Sequence, residues 1–471
     1  MGMTRKYWKG ISELEETPQF LESRKQEFPT ETSVEEFLSD ENLNETSTAR
    51  RDFLKFLGFS VAAATVAACE APVTKAIPYV NKPENVTPGM ATWYASTYYD
   101  GNSYASIVVK TREGRPIFIK GNRDFGITNG GANPQIIASV LGLYDSARLA
   151  GPVANDEQAT ISEVDKKIKT ALKSAKKVVL VSNTVISPST LGSIAELGAS
   201  INGEQADKFE HIQYDAVSYA GMRAANKATF GVTINSEDSS SDGIIPHYDF
   251  SKAKTIVSVG ADFMTSWLMP TLFTTQYAQR RNPDNDWMSK HFQFESILSV
   301  TGSNADYRGM IKPSEEANVL AYLLEKFGKS TGGVSTKLNA SAKKAADHAY
   351  KALETTKGHA LVICGSNNSA TQMLANSLNN ELESYGSTID LNNPINLYKS
   401  EDKKMAAFVK DVEDGTGPDA IILYGTNPVY SLPNGIKFAA GLKNTKTTIS
   451  LASHHDETSS NCTYIVPDHH A

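Results

Sequence analysis

The sequence predicts an α/β protein of doubly wound, mostly parallel sheets with a small N-terminal β region. Continuously apolar runs such as Val178 to Ser182, Thr255 to Val259, Ala360 to Cys364 and Ile421 to Tyr424 recur between helix-length segments, the pattern of strands covered on both faces. Most of these runs are followed by small or amide residues, which tight strand-to-helix turns require. An antiparallel pair stands apart upstream, where Ser106 to Lys110 and Pro116 to Lys120 bracket the glycine-containing turn Arg112-Glu113-Gly114-Arg115.

In chain order, residues 1–49 read as an acidic leader with eleven acids against five bases, too polar to bury a core of its own and suited to docking on a partner. Residues 50–69 read as an export signal. Arg50-Arg51, then Phe53-Leu54-Lys55, match the twin-arginine pattern, with Ala49 where serine or threonine is commonest. The uncharged stretch Phe56 to Ala68 is 13 residues long, well short of the roughly 20 that span a bilayer as a helix. Val66-Ala67-Ala68-Cys69 is similar to a bacterial lipobox, which makes Cys69 the expected lipidated N-terminus after cleavage and places the chain on the periplasmic side of a bacterial inner membrane.

Residues 70–155 hold a proline-bearing connector, the small β region and the Gly/Asn-rich loop Asp124 to Pro134. Residues 156–355 are expected to form a first α/β unit. Its strands Val178 to Ser182, Phe209 to Tyr214, Thr255 to Val259 and Lys290 to Phe294 alternate with helices over Pro188 to Ala199, Val217 to Ala228, Phe263 to Arg281 and Pro313 to Phe327. A second unit, 356–471, restarts with Ala360 to Cys364, Ile421 to Tyr424 and Thr447 to Leu451.

Composition removes several function classes. A formal charge of −7 is wrong for a broad phosphate-binding surface, so nucleic acid is not an expected partner. Three cysteines, at 69, 364 and 462, cannot supply a four-thiolate zinc or iron-sulfur site. Cys364 and Cys462 sit beside apolar strand-like runs and read as inert small hydrophobes. Neither GxGxxG nor GxxxxGK[ST] occurs in the strand-end loops.

The remaining polar clusters read as structural. His454-His455-Asp456-Glu457 and Asp468-His469-His470 read as polar surface, Asp306 with Arg308 as an ion pair, and Ser236 to Gly243 as a solvated loop. His211 and Asp215 lack a nucleophile at a recognisable spacing.

In doubly wound sheets ligands sit beyond the carboxyl ends of the strands. The loops there are Ser182-Asn183-Thr184, Gly260-Ala261-Asp262, Gly365-Ser366-Asn367, Gly425-Thr426-Asn427-Pro428 and Ser453-His454-His455. Their small and amide residues would let backbone approach a nucleotide-like ligand, and would equally serve plain turns.

Taken together, Tyr7-Trp8 with the acidic leader, Arg50 to Lys55, Pro88-Gly89, Trp93-Tyr94, Gly114-Arg115 with Gly121-Asn122, Tyr248-Asp249-Phe250, Gly260 to Phe263, Thr301 to Arg308, Asn427 to Tyr430 and Val466-Pro467-Asp468 resemble the molybdopterin oxidoreductase superfamily. Within it they resemble the molybdopterin-like N-terminal half of ActB, a component of alternative complex III. The resemblance implies a molybdopterin-oxidoreductase-like fold in a membrane-bound, quinol-oxidising respiratory complex. Its partners would be integral membrane quinol-binding subunits, haem-bearing cytochrome subunits and an iron-sulfur half or subunit.

The departures narrow this further. Ser96-Thr97-Tyr98-Tyr99 and Asn102 stand where catalytic members carry cluster cysteines, and no cysteine stands between 210 and 235, where Ser218 is the conceivable oxygen ligand to a metal. The expectation is therefore a non-catalytic scaffold. It has no catalytic, cofactor-binding or metal residues and no cofactor in this chain, the iron-sulfur clusters belonging to the other half or partner. The alternatives are an active periplasmic molybdopterin-dependent oxidoreductase and a periplasmic ligand-binding module.

Overall fold

The structure is a computed structural model that describes residue 87 and residues 89–203, 207–231 and 243–469. The leader, Arg50, Arg51, Phe53, Leu54, Lys55, Cys69 and most of the Ser236 to Gly243 stretch lie outside the described residues.

Strands β1 (Thr92–Tyr99), β2 (Tyr104–Arg112) and β3 (Arg115–Gly121) form an antiparallel sheet in the order β1-β2-β3. Glu113 and Gly114 both take positive φ, 52° and 77°, as a two-residue hairpin turn of right-handed twist demands. The expected loop follows and ends at Asn133, whose side chain caps the short helix Pro134–Ala138.

The remaining strands are β4 (Val153–Ala154), β5 (Glu157–Gln158), β6 (Val178–Ser182), β7 (Phe209–Gln213), β8 (Ile245–Tyr248), β9 (Thr255–Val259), β10 (Lys290–Glu295), β11 (Tyr307–Met310), β12 (Ala360–Cys364), β13 (Ile389–Ile395), β14 (Ala420–Tyr424), β15 (Thr447–Ser450) and β16 (Tyr464–Ile465). One sheet runs β5-β4-β16-β15-β14-β6-β7 and is parallel from β16 to β7. A second, wholly parallel, runs β11-β10-β9-β12. Strands β13 and β8 pair antiparallel beside it.

The α/β expectation holds, but the sheets do not follow a break at 355/356. Strand β12 pairs with β9, while β14 pairs with β6 across more than two hundred residues of chain. The chain leaves the first sheet after β7, builds the second, and returns near Glu401, whose N–H bonds the Gln213 carbonyl. Apolar runs of equal length carry no local mark of which neighbour they join, so a serial division misassigns β12.

Both sheets are covered on two faces. In β6, Val179 and Val181 pack with Met405, Phe408 and Phe438 on one side, and Val178 and Leu180 with Leu172 and Ile422 on the other. One face of the second sheet, carrying Val257, Val259, Phe292, Phe294 and Val362, packs against the helices Glu316–Lys326, Ala340–Thr355 and Ser369–Glu381. Its other face is aromatic, built from Phe250, Phe263, Trp267 and Phe273.

Several helices start later than expected. The segment after Asp262 turns on that residue's carbonyl before helix Pro270–Gln279, and Ala220 rather than Val217 opens the preceding helix. Asp306 and Arg308 do not pair with each other. Asp306 takes Arg281 in a two-pronged bridge at 2.8 and 3.1 Å, and Arg308 reaches Glu295 at 2.6 Å. Neighbours two apart on a strand share a face, yet here each is nearer an oppositely charged group on another element.

His291 on β10 is fully buried between Phe263 and Tyr277, and burial pushes its imidazole down to about 4. The unfolded chain takes up this proton near pH 6.5, so between about 6.5 and 4 the unfolded state holds more protons and stability falls as pH falls. The expected slope from this residue is roughly 1.4 kcal/mol per pH unit. Denaturant unfolding of His291→Gln across that window should give a shallower pH dependence than wild type, and equal slopes would contradict the assignment.

Candidate functional site

The strand-end loops divide into two groups. Those of the second sheet close on each other. A Cβ on Gly365 would lie 2.2 Å from the Gly260 carbonyl oxygen, and one on Gly260 would lie 2.3 Å from Glu316, so no ligand passes between them. Asp262 is engaged by Thr301 and Thr265, and Asn367 accepts the Gly221 N–H at 2.8 Å.

The loops of the first sheet stay apart around a cleft of about 430 Å³. Asn183 to Ser187 follow β6, Tyr424 to Asn427 follow β14, and Leu451 to His454 follow β15. Tyr99 and Asp100 enter from the small sheet. Three of the five sequence-marked loops therefore meet at one place, as the strand-end rule requires. Gly101 and Gly425, at φ 90° and 60°, flank Asn183 so closely that a Cβ on Gly101 would lie 2.5 Å from its amide nitrogen.

Beneath the cleft lies a buried polar hub that no motif in the sequence marks. Thr184, with no exposed surface, donates its N–H and hydroxyl to the two Asp215 oxygens at 2.8 and 2.6 Å. The same hydroxyl oxygen accepts the Lys399 N–H at 2.6 Å, and the Thr184 carbonyl accepts the Tyr99 hydroxyl at 2.8 Å. Burial holds the Asp215 carboxyl above its ordinary value, against the Thr184 and Ser400 hydrogen bonds and the Arg223 charge. Burial, then Arg223, lowers the Lys399 ammonium. Tyr398, its ring tilted 60° against Tyr219 at 4.7 Å, places its hydroxyl 2.9 Å from the Asn102 carbonyl and 3.2 Å from that of Leu268. Leu268 and Tyr398 both hold positive φ, 52° and 58°, a strained backbone kept by the packing around it.

In the expected cluster region, Tyr98 donates to Asp100, Tyr99 to the Thr184 carbonyl, and the Asn102 carbonyl accepts the Tyr398 hydroxyl. Asp100 accepts the N–H groups of Asn102 and Ser103, the Tyr98 hydroxyl and the Gln135 amide. Ser218 donates to Asp402 at 2.5 Å and accepts from Ala220 N–H at 3.1 Å and Asn367 at 3.4 Å. That is one donor and two acceptor sites, the whole capacity of a neutral hydroxyl. Cys364 is buried and Cys462 half-buried, and burial pushes both thiols up to about 12.

A pterin dinucleotide would bring anionic phosphates. Among the described residues that line the cleft there is no lysine or arginine, whereas Asp100, Asp456 and Asp468 are present. Such a lining does not fit that group. The histidine-rich segments expected at the surface place His454, Asp456, Asp468 and His469 on the cleft wall. His454 sits 3.3 Å from Asp145 and 2.9 Å from Ser453, and Asp456 accepts the N–H groups of Thr458 and Ser459. Among the described residues no three potential ligands converge on a metal position. His211 meets Ser182 at 2.8 Å rather than Asp215, and Ser182 is fully buried.

No protein-family model matches the chain. It is 24% identical to the "Menaquinone reductase, molybdopterin-binding-like subunit" of Nitratidesulfovibrio vulgaris (Hildenborough) over 89% of this chain, and spans 65% of that relative's length. Among solved structures it is similar to acetylene hydratase from Pelobacter acetylenicus, with TM-score 0.48, 11% identity, 80% of this chain and 61% of that one. It also matches a chain of the formyltransferase/hydrolase complex from Methylorubrum extorquens, with TM-score 0.40, 11% identity, 67% of this chain and 86% of that one.

Replacing Thr184 by Val removes the hydroxyl between Asp215 and Lys399 and should cost about 2 kcal/mol. The Asp215 pKa is already raised and would rise further. Stability from a group with a raised folded pKa is intact below the unfolded value and lost as pH rises, so the Thr184→Val penalty should be larger at pH 7.5 than near pH 4.5. Paired urea titrations check this, and equal penalties would contradict it.

Proposed function

We propose that this chain is a non-catalytic, molybdopterin-oxidoreductase-like scaffold in a membrane-bound, quinone-linked electron-transfer complex. The observation that carries the reading is the committed hydrogen bonding of Tyr98 and the Asn102 N–H, in the expected cluster region, to Asp100, and of Ser218, the conceivable metal ligand, to Asp402, Ala220 and Asn367. The acidic lining of the cleft supports it. The likeness to a menaquinone reductase subunit supports the quinone link, and that relative's name describes quinone reduction, whereas the ActB resemblance implies quinol oxidation. Both directions make the same demand on this chain, to hold its shape without reacting.

Within the finer reading the complex is alternative complex III, and this chain is the molybdopterin-like part of its iron-sulfur subunit. It holds an iron-sulfur half or subunit against integral membrane quinol-binding subunits and haem-bearing cytochrome subunits. Twin-arginine export and lipid attachment at Cys69 place it on the periplasmic side of the inner membrane. The chain itself performs no bond-making step. Its two covered sheets and the Thr184 hub supply rigidity, and the electron path runs through neighbours.

Two variants test the reading in the assembled complex. Ser218→Ala should leave quinone-linked turnover within about twofold of wild type, because its oxygen serves Asp402 and a helix start and no reacting atom. Deletion of the chain should remove the whole complex from the membrane. Loss of turnover by two orders of magnitude or more in Ser218→Ala, with assembly intact, would overturn the scaffold reading in favour of an oxygen-ligated active site.

A further inference from the structure

The small sheet carries large apolar residues at its outer end that no described element covers. Trp93, Tyr94, Ile117 and Phe118 are 41 to 52% exposed, and β1 is exposed from Trp93 to Thr97 on both faces. Register places Trp93 opposite Lys110 and Lys110 opposite Phe118, with Val108 opposite Lys120, so these five side chains share one face. Lys120 and Lys110 lie 4.4 and 5.8 Å from the Trp93 ring centroid, and Phe118 meets the same ring edge-on at 6.4 Å. Beside them Trp93, Val108, Lys120, Asn122, Arg123 and Asp124 help line a hollow of about 540 Å³. Arg112 and Arg115 stand at the hairpin end of the same sheet.

We propose that this face docks on an anionic phospholipid surface, Trp93 and Phe118 entering the headgroup boundary while Lys110, Lys120 and Arg123 meet lipid phosphates. Charge complementarity selects this occupant. A chain of net charge −7 concentrates five cations, Lys110, Arg112, Arg115, Lys120 and Arg123, against three acids, Asp100, Glu113 and Asp124, within one short sheet, its turns and its exit. Lysine is depleted at protein–protein interfaces, whereas tryptophan with lysine and arginine is the composition of a membrane–water boundary. Like charge disfavours a second copy of the same face. A covalent lipid fixes one point of a protein, and such a patch fixes which face turns to the bilayer. Docking of this kind requires neither lipidation nor the scaffold role.

The test uses the full chain carrying Cys69→Ser, so that acylation plays no part, in co-sedimentation with phosphatidylglycerol–phosphatidylcholine vesicles and with phosphatidylcholine alone. Binding is expected to the first and not the second. It should weaken by roughly tenfold in Trp93→Ala and in Lys110→Ser/Lys120→Ser, fall with added salt, and persist in Lys169→Ser on the helix Ile161–Ser174. As a readout independent of substitution, brominated lipid should quench tryptophan fluorescence of the otherwise unaltered chain. Equal binding to both vesicles, indifference to the substitutions, or displacement by inorganic phosphate would overturn the proposal. So would a photo-crosslinker at position 93 of the native complex that captures a polypeptide and no lipid.

Discussion

Thr184 sits where three parts of the chain converge, and its backbone and side chain bond all three. Its hydroxyl and N–H bind Asp215 after β7, its hydroxyl oxygen receives Lys399 on the return from the second sheet, and its carbonyl receives Tyr99 from the small sheet. A buried polar group left unpaired costs about 1–3 kcal/mol, so each of these bonds restricts where the other parts can lie. Tyr398 repeats the arrangement one layer away, joining Asn102 of the small sheet to Leu268 at the edge of the aromatic core. The relative placement of the sheets rests on these few atoms as much as on apolar packing.

That constraint explains how a strand-end cleft can stay open above a buried polar layer. The parallel sheets oblige loops to gather at their carboxyl ends, whatever those loops then do. Here the loops of β9 and β12 press together, and those of β6, β14 and β15 surround a cleft whose charged groups are carboxylates. Asp100 and Ser218 spend their hydrogen-bonding capacity on neighbouring backbone and side chains. A polar network satisfied internally stabilises a fold.

Much of the architecture was legible because parallel strands covered on both faces are written as unbroken apolar runs. Val178 to Ser182 and Ala360 to Cys364 could be located to the residue, as could the Glu113-Gly114 turn. Strand order was not legible, since nothing in β12 itself states that its neighbour is β9. The cleft was half legible: Asn183, Gly425 and His454 lay in marked loops, but His454, Asp456, Asp468 and His469 read as surface because their loops look like any other polar turn. Of the hub, Thr184, Asp215 and Tyr99 were noted singly, but nothing marked that they meet. Lys399 and Thr184 are 215 residues apart and carry no periodicity, and their meeting is a product of the chain's excursion through the second sheet.

The proposed scaffold carries no redox group of its own. Molybdenum, tungsten, iron, acid-labile sulfide and extractable pterin, quantified together on the purified 471-residue chain, test it most directly. The account predicts all five at background while the chain remains folded. Stoichiometric pterin with molybdenum or tungsten, or a stoichiometric iron-sulfur cluster, would contradict it.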